Sequence, residues 1–193
     1  MPHLELMIVL SATQKVEVLA KAIPEHHKTH VRNHYIALHI HYKLYSHQLY
    51  ILGVSRETDR VTETLFKRAE HLLQIPRIDR VNAEDMQVVH YQDGQRYEPH
   101  HDWGVSGYQE SRYITLLLYL NDLESPEAGG ETSFPKAADG AGIKVHPGKG
   151  SAVLFYNLLE DGNGDDLALH AALPIFQGEK WLANFWVWDP KRK

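Results

Sequence analysis

Four side chains, widely separated along the chain, are the strongest candidates for chemistry in this sequence. His100 and Asp102 are two residues apart, so in an extended strand both side chains point to one face while His101 points away. An imidazole and a carboxylate presented together can bind one metal ion, and His170 is the candidate for a third ligand. Lys180 lies ten residues further on in an apolar segment, where a cation needs an anionic partner such as a co-substrate carboxylate.

Two histidines and one carboxylate that leave positions open on the metal are typical of non-haem Fe(II) oxygenases. A His-x-Asp pair on its own is weak evidence, because such pairs occur by chance in many chains. His170 alone would be interpreted as a core histidine, and Lys180 alone as a lysine whose amino group reaches the surface. The combination of the pair, the distant histidine and the lysine favours an oxygenase site.

Longer stretches around these residues resemble the catalytic domain of the prolyl 4-hydroxylases, which are Fe(II)- and 2-oxoglutarate-dependent dioxygenases. The similar stretches follow the order found in that family and comprise residues 86–91, 94–102, 112–122, 129–135, 147–152, 170–172 and 180–186. The last of them, Lys-Trp-Leu-Ala-Asn-Phe-Trp, is most similar to the transmembrane branch of the family. We expect one domain over residues 1–193, with a divergent part at 1–55 and a family-like core at 56–190.

The resemblance implies a set of metal ligands and cofactors. His100, Asp102 and His170 would bind Fe(2+), and Lys180 would pair with the distal carboxylate of 2-oxoglutarate. The cofactors implied are Fe(2+), 2-oxoglutarate, O2 and L-ascorbate.

Further residues acquire roles only through the resemblance. Tyr91 and Thr132 match positions whose hydroxyl groups bond 2-oxoglutarate in the family, and Trp186 matches a residue that lines that pocket. From the sequence pattern alone, all three would be assigned to the core. Arg112 begins an apolar strand and leaves two interpretations open, a contact with substrate or an ion pair with a carboxylate.

The activity implied is hydroxylation of peptidyl proline, coupled to decarboxylation of 2-oxoglutarate to succinate. A proline-containing protein or peptide is the expected partner, because proline-rich segments are already extended and lose little entropy on binding. A related oxygenase acting on lysyl residues or on a small molecule is the first alternative, because fold and ligands do not determine substrate. A non-catalytic jelly-roll binding module is the second.

Composition narrows the class of protein. Hydrophobic residues make up 43% of the 193 and charged residues 23%, as in ordinary globular domains. The net charge of −5 gives no basic footprint for nucleic acid, and there is no cysteine for disulfides or thiolate metal sites. No apolar run approaches the roughly 20 residues of a membrane helix. We expect no membrane span and, by default, a cytoplasmic location; the oligomeric state is left open.

The predicted fold class is α+β and mainly β. An amino-terminal strand at about 4–10, a helix at 11–24 and a second helix at about 59–74 precede short strands separated by turn-forming loops. These strands are predicted at 86–91, 112–120, 143–145, 152–156, 167–172 and 180–188. The second helix has a predicted apolar stripe of Val61, Leu65, Ala69, Leu72 and Leu73. Short strands of this kind indicate a sandwich or barrel, and the resemblance implies a double-stranded β-helix (jelly roll) with supporting helices on one side.

Two other groups of metal-binding residue types are weaker candidates. His26, His30 and His34 would share one face if residues 25–34 were helical, but surface histidines are the favoured interpretation. The segment 160–166 is rich in acidic residues and glycine, yet its spacing is not that of an EF-hand, so a solvated turn is favoured.

Overall fold

A computed structural model describes residues 8–11, 50–58, 60–104 and 112–188 of the chain. These residues form one α-helix, α1 (Arg60–Leu73), and ten strands. The strands are β1 (Ile8–Ser11), β2 (Tyr50–Val54), β3 (Met86–Tyr91), β4 (Tyr97–His100), β5 (Arg112–Tyr119), β6 (Thr132–Phe134), β7 (Ile143–Val145), β8 (Ser151–Tyr156), β9 (His170–Ala172) and β10 (Lys180–Trp188). Within this described part, no helix is long and apolar enough to cross a membrane.

The strands form two antiparallel sheets. The larger sheet has the order β1-β8-β5-β10-β3-β2, and the smaller one has the order β4-β9-β6-β7. Neighbours in each sheet are mostly distant in sequence, as when β10 pairs with both β3 and β5. Two facing sheets of this kind are the expected jelly roll, and the site residues come from both of them.

Helix α1 covers the outer face of the larger sheet. Its buried side chains include Leu65, Phe66 and Ala69, and Phe66 packs edge-on against Phe185 of β10 at 4.7 Å between ring centroids. Replacing a buried aromatic side chain of this kind by alanine costs about 3–5 kcal/mol. The predicted stripe was wrong at Leu72, which is 39% exposed because it lies on the solvent side of the last turn.

A second hydrophobic core lies between the two sheets. Val89, Leu117, Val153 and Leu182 of the larger sheet share it with Phe134 of the smaller one. Strand β10 contributes to both cores, since Ala183, Phe185 and Val187 face the helix while alternate residues face the smaller sheet. This burial on both faces explains the nearly continuous apolar run in β10.

The predicted strand boundaries were confirmed in three cases and differed most at β9. Strands β3, β7 and β10 span the predicted residues, and α1 falls inside the predicted 59–74. The expected strand at 167–172 is shorter, because residues 166–168 form a 3-10 turn before β9. The predicted helix at 11–24, apart from Ser11, and the candidate histidines His26, His30 and His34 lie outside the described residues. The single-domain organisation stays a prediction.

Candidate active site

Three side chains converge on one point. Two of them lie at strand ends, and the third lies just after one of those strands. His100 ends β4, Asp102 follows two residues later, and His170 begins β9 as the strand partner of His100. One ligand atom from each of the three lies within 4.8 Å of the others, and this is the only such group of three or more among the described residues. The Nε2 atoms of His100 and His170 lie 3.7 and 3.8 Å from the Asp102 carboxylate oxygens.

Backbone carbonyl groups fix the ring orientation of both histidines. Nδ1 of His100 lies 2.8 Å from the carbonyl oxygen of Glu98, and Nδ1 of His170 lies 2.9 Å from that of Ala168. A carbonyl oxygen only accepts hydrogen bonds, so each Nδ1 carries the proton and each Nε2 keeps its lone pair. Metal-binding histidines are usually oriented in this way by a bond from the other ring nitrogen.

The ionisation of the cluster suits a divalent cation. Burial lowers the pKa of His100 to about 4, assisted by the neighbouring His170, so its imidazole is neutral at pH 7. Burial alone would raise the pKa of Asp102, but the neighbouring His170, His100 and Arg112 and a hydrogen bond from Thr115 together bring it below its usual range. Two imidazoles and one carboxylate are the donor set that non-haem Fe(II) sites use.

Hydrogen bonds from two adjacent strands hold the Asp102 carboxylate. Thr115 Oγ1 donates to Oδ2 over 2.7 Å, and the indole N–H of Trp186 donates to the same oxygen over 2.9 Å. Thr115 in β5 and Trp186 in β10 are direct strand partners, which explains why they reach one atom. The Trp186 ring therefore contacts the metal-binding group, and its predicted place in lining the co-substrate pocket stays a prediction.

Lys180 is buried without a carboxylate partner. It is 1% exposed, and Nζ donates to the carbonyl oxygen of Gly130 over 2.7 Å. Burial lowers the pKa of Lys180 to about 7, and Glu131 only partly offsets this effect. No carboxylate among the described residues lies within ion-pair distance of Nζ, so two of its three N–H donors remain available for an anion.

Two tyrosine rings lie near the Lys180 amino group. The rings of Tyr91 and Tyr119 lie 5.6 and 5.5 Å from Nζ, and the Tyr119 hydroxyl donates to Thr132 Oγ1 over 2.7 Å. Tyr91 is the strand partner of Lys180, as the register of β3 and β10 requires. The structure thus places the predicted Tyr91 near Lys180 and adds Tyr119, for which the sequence pattern indicates no role and whose hydroxyl bonds to the predicted Thr132. The phenol at the polar end of an apolar strand was the available signal.

Arg112 forms an ion pair near the metal-binding cluster. Its guanidinium donates to both carboxylate oxygens of Glu84, over 2.6 and 3.0 Å. It also lies over the Trp186 ring at 3.6 Å and approaches Asp102 Oδ1 to 3.9 Å. Of the two interpretations left open by the sequence, the ion pair with a carboxylate is the one observed here.

Three histidines near the motif lie outside the cluster. His90 is bonded to Glu179 over 2.8 Å and stacks on Trp181 at 3.9 Å between centroids. His101 lies 3.4 Å from the Asp166 carboxylate, consistent with its opposite direction from His100. His146 follows β7 and is not part of the cluster.

Comparisons with known proteins place the fold and the residues in one family. The model of the 2OG-Fe(II) oxygenase superfamily matches residues 86–188, which include the metal-binding cluster and Lys180. The chain belongs to this superfamily, and membership implies Fe(2+), 2-oxoglutarate and O2 as cofactors. The cluster of two imidazoles and a carboxylate, together with the buried ammonium of Lys180, fits that set.

The similar proteins and structures are prolyl hydroxylases. Prolyl 4-hydroxylase 5 of Arabidopsis thaliana is 35% identical over 150 residues, which cover 68% of this chain and 50% of that protein. Prolyl 4-hydroxylase subunit alpha-1 of Homo sapiens is 39% identical over 118 residues, covering 57% of this chain and 21% of that protein. The chain spans about half the length of the plant relatives that it matches.

Solved structures agree with the jelly-roll prediction. The viral collagen prolyl hydroxylase from Paramecium Bursaria Chlorella virus-1, in complex with 2OG, has a TM-score of 0.63 and 28% identity, covering 74% of this chain and 80% of that one. A Pseudomonas putida prolyl-4-hydroxylase has a TM-score of 0.64 at 19% identity, covering 95% and 92% of the two chains, which supports the fold alone. The predicted double-stranded β-helix is confirmed.

Proposed function

We propose that this protein is an Fe(II)- and 2-oxoglutarate-dependent dioxygenase that hydroxylates peptidyl proline at position 4. The proposal rests on two features of the described residues. One is the cluster of His100, Asp102 and His170, and the other is the buried ammonium of Lys180, which has no carboxylate partner there. The names of the plant, animal and viral relatives support proline as the target. The comparisons leave open the substrate of the whole protein, because this chain spans only part of the curated relatives.

In this proposal, the three clustered side chains hold the metal. His100 and His170 donate through Nε2, and the Asp102 carboxylate neutralises one charge of the dication. When bound, Fe(II) with 2-oxoglutarate and O2 supplies the oxidant for hydroxylation of an unactivated carbon, with succinate and CO2 as co-products. The buried apolar surroundings of the cluster, including Phe134 and Phe155 against the His170 ring, exclude water that would divert the reaction.

Lys180 binds the distal carboxylate of 2-oxoglutarate. Its two remaining N–H donors are available to that carboxylate, and the hydroxyl-bearing side chains of Tyr91, Tyr119 and Thr132 are the proposed additional polar contacts. A carboxylate beside Nζ offsets the desolvation that depresses the pKa of Lys180, so the lysine becomes fully charged when the co-substrate binds.

The substrate is a proline-containing protein or peptide, and L-ascorbate is the proposed reductant. Tyr97 packs edge-on against the His100 ring, and Trp103 lies beside His101. Aromatic side chains next to the metal-binding cluster suit an extended proline-rich segment. The expected cytoplasmic location and the similarity to the transmembrane branch stay predictions.

The experiment is a turnover assay with Fe(II), 2-oxoglutarate, L-ascorbate and a panel of proline-rich peptides. We expect peptide-dependent succinate formation and a mass gain of one oxygen on proline, both absent in Asp102→Ala. Turnover stimulated only by lysyl peptides or by a small molecule would replace the substrate part of the proposal. No succinate under any condition would favour the non-catalytic module.

A further inference from the structure

We propose that Thr115 and Asn157 are positioning residues, which orient the Asp102 carboxylate so that Oδ1 is the oxygen presented to the metal. This inference rests on the proposed metal-binding role of Asp102. It concerns two uncharged residues outside the metal-binding cluster, neither of which the sequence pattern distinguishes from core.

A continuous chain of hydrogen bonds connects the three residues. Asn157 Nδ2 donates to Thr115 Oγ1 over 2.8 Å, and Thr115 Oγ1 donates to Asp102 Oδ2 over 2.7 Å. Asn157 is 0% exposed, Thr115 1% and Asp102 4%, so water does not compete for these bonds. Bonds of this kind are strengthened by the low local dielectric.

The direction of the chain follows from the number of protons. Thr115 Oγ1 donates its single hydroxyl proton to Asp102 Oδ2. The Thr115 oxygen can then only accept from its other neighbour. The Asn157 side chain must therefore turn its NH2 group, and not its carbonyl oxygen, towards Thr115.

Two backbone hydrogen bonds hold Asn157 in place, and its side-chain oxygen is left without a partner. Its backbone N–H donates to the carbonyl oxygen of Tyr113 over 2.8 Å, and its own carbonyl accepts from the N–H of Asp165 over 2.8 Å. Its side-chain oxygen Oδ1 is buried without a hydrogen-bond partner. An apolar residue at position 157 would bury no unpaired oxygen. The presence of an amide is therefore explained by the N–H that it donates to Thr115.

The two hydrogen bonds to Oδ2 make the two carboxylate oxygens of Asp102 inequivalent. Thr115 and Trp186 both donate to Oδ2, and two donors occupy the two lone pairs of one oxygen. Oδ1 lies 3.7 Å from His100 Nε2 and 3.9 Å from a guanidinium nitrogen of Arg112, beyond hydrogen-bond distance of both. Oδ1 is therefore the oxygen available to a cation, and a carboxylate bound through one oxygen leaves more positions open for co-substrate.

The test is a titration of the full chain with Co(II), followed by its visible absorption spectrum, which reports ligand number and geometry. Asp102→Ala defines the part of the signal that comes from the cluster. Thr115→Val keeps the side-chain shape but removes the donor, and we expect Co(II) affinity to fall about 10- to 100-fold with an altered spectrum. Thr115→Ser keeps the hydroxyl and is expected to retain the wild-type spectrum.

Asn157→Asp tests the proton argument at nearly constant volume. It replaces the N–H donor by a second carboxylate, which competes with Asp102 for the one Thr115 proton, so we expect a loss similar to that in Thr115→Val. Thr62→Val and Asn184→Asp are matched controls, because these buried or half-buried residues bond elsewhere, Thr62 to Arg56 and Asn184 to Gln87. If Thr115→Val does not fold, Asn157→Asp decides the question.

The outcomes separate this proposal from the substrate assignment. Loss of Co(II) affinity in Thr115→Val or Asn157→Asp, with the spectrum restored in Thr115→Ser, supports positioning even if no proline peptide is hydroxylated. Wild-type affinity and spectrum in both variants would overturn it. A wild-type protein whose Co(II) signal is unchanged by Asp102→Ala would overturn both this proposal and the metal-binding role on which it rests.

Discussion

The imidazole rings of His100 and His170 lie 4.3 Å apart as direct partners in the pairing of β4 with β9. Strand β9 has three residues and β4 has four, and their register shifts between Tyr97 and His100. A slip of one residue would turn one imidazole to the opposite face of the sheet. The metal-binding geometry therefore depends on a short strand pair, which the larger sheet and the core between the sheets hold in place.

Lys180→Met is expected to remove tight binding of 2-oxoglutarate while leaving metal binding intact. The variant keeps an unbranched side chain of similar length but leaves the distal carboxylate without its cation. Loss of one partner of a buried charge pair costs about 2 kcal/mol or more, so the dissociation constant should rise at least about 30-fold. Calorimetric titration of the Mn(II)-loaded protein measures this, and a dissociation constant within a few-fold of wild type would exclude Lys180 as the anion-binding group.

The same substitution should stabilise the ligand-free protein, and more so at low pH. The pKa of Lys180 is about 7 in the folded protein, depressed by burial, and about 10.4 in an unfolded chain. Between these values the unfolded state binds more protons, so the destabilisation caused by Lys180 is complete below pH 7 and declines as the pH rises towards 10. The gain in unfolding free energy should be larger at pH 6 than at pH 9 by about 2–3 kcal/mol.

Urea unfolding of the ligand-free protein at the two pH values measures this difference. Lys144→Met, at an exposed position in β7, is the matched control and should show little pH-dependent change. An equal effect of Lys180→Met at pH 6 and pH 9 would mean that the lysine is not desolvated in the folded state.

Tyr119→Phe should weaken 2-oxoglutarate binding moderately. The phenol donates to Thr132 beside the Lys180 amino group, so its removal leaves a buried hydroxyl with one partner fewer. A hydrogen bond of this kind contributes about 0.5–1.5 kcal/mol, which corresponds to a rise of roughly 2- to 12-fold in the KM for 2-oxoglutarate. Initial-rate kinetics should show this change, while Tyr156→Phe, on the outer face of β8, should leave the KM unchanged.

Gly164→Ala should destabilise the turn that lies against the metal-binding motif. A Cβ atom at position 164 would overlap the indole ring of Trp103, whose N–H donates to the carbonyl oxygen of Asp165 over 3.0 Å. We expect a loss of about 1–3 kcal/mol in urea unfolding, the usual effect of overpacking. Gly53→Ala, where no atom lies within 4 Å of the added Cβ, is the control.

A double-mutant cycle identifies the contact. Because Trp103→Ala removes the ring that the new methyl group meets, Gly164→Ala should cost much less in that background. Additive effects of the two substitutions would show that the turn does not rest on Trp103.

Much of this arrangement was predictable because long apolar runs and unusual residue types leave clear patterns. Strand β10 is apolar on both faces, helix α1 has a helical stripe, and His100, Asp102 and His170 combine residue types that seldom converge by chance. Residues at the ends of these runs were less certain. Leu72 satisfies the helical spacing of α1 but lies beyond the edge of the buried face, which no periodicity indicates.

The supporting residues could not be predicted because their roles depend on register between distant strands. Tyr119 and Thr115 belong to one apolar strand. Only the pairing of that strand with β10 places Tyr119 near Lys180 and lets Thr115 reach Asp102. Asn157 follows a different strand and is polar in a position where the sequence indicates a turn. Strand β4 is equally inconspicuous, because it is short, contains Pro99 and is mostly exposed.

The most direct test of the central claim is an anaerobic titration of the wild-type chain and of His170→Ala with Fe(II), with His101→Ala as the control. If three side chains hold one metal ion, the wild type and His101→Ala will bind a tight equivalent of Fe(II) that His170→Ala lacks. An Fe(II) affinity that His170→Ala leaves unaltered would remove His170 from the site and contradict the assignment of this cluster as the iron centre.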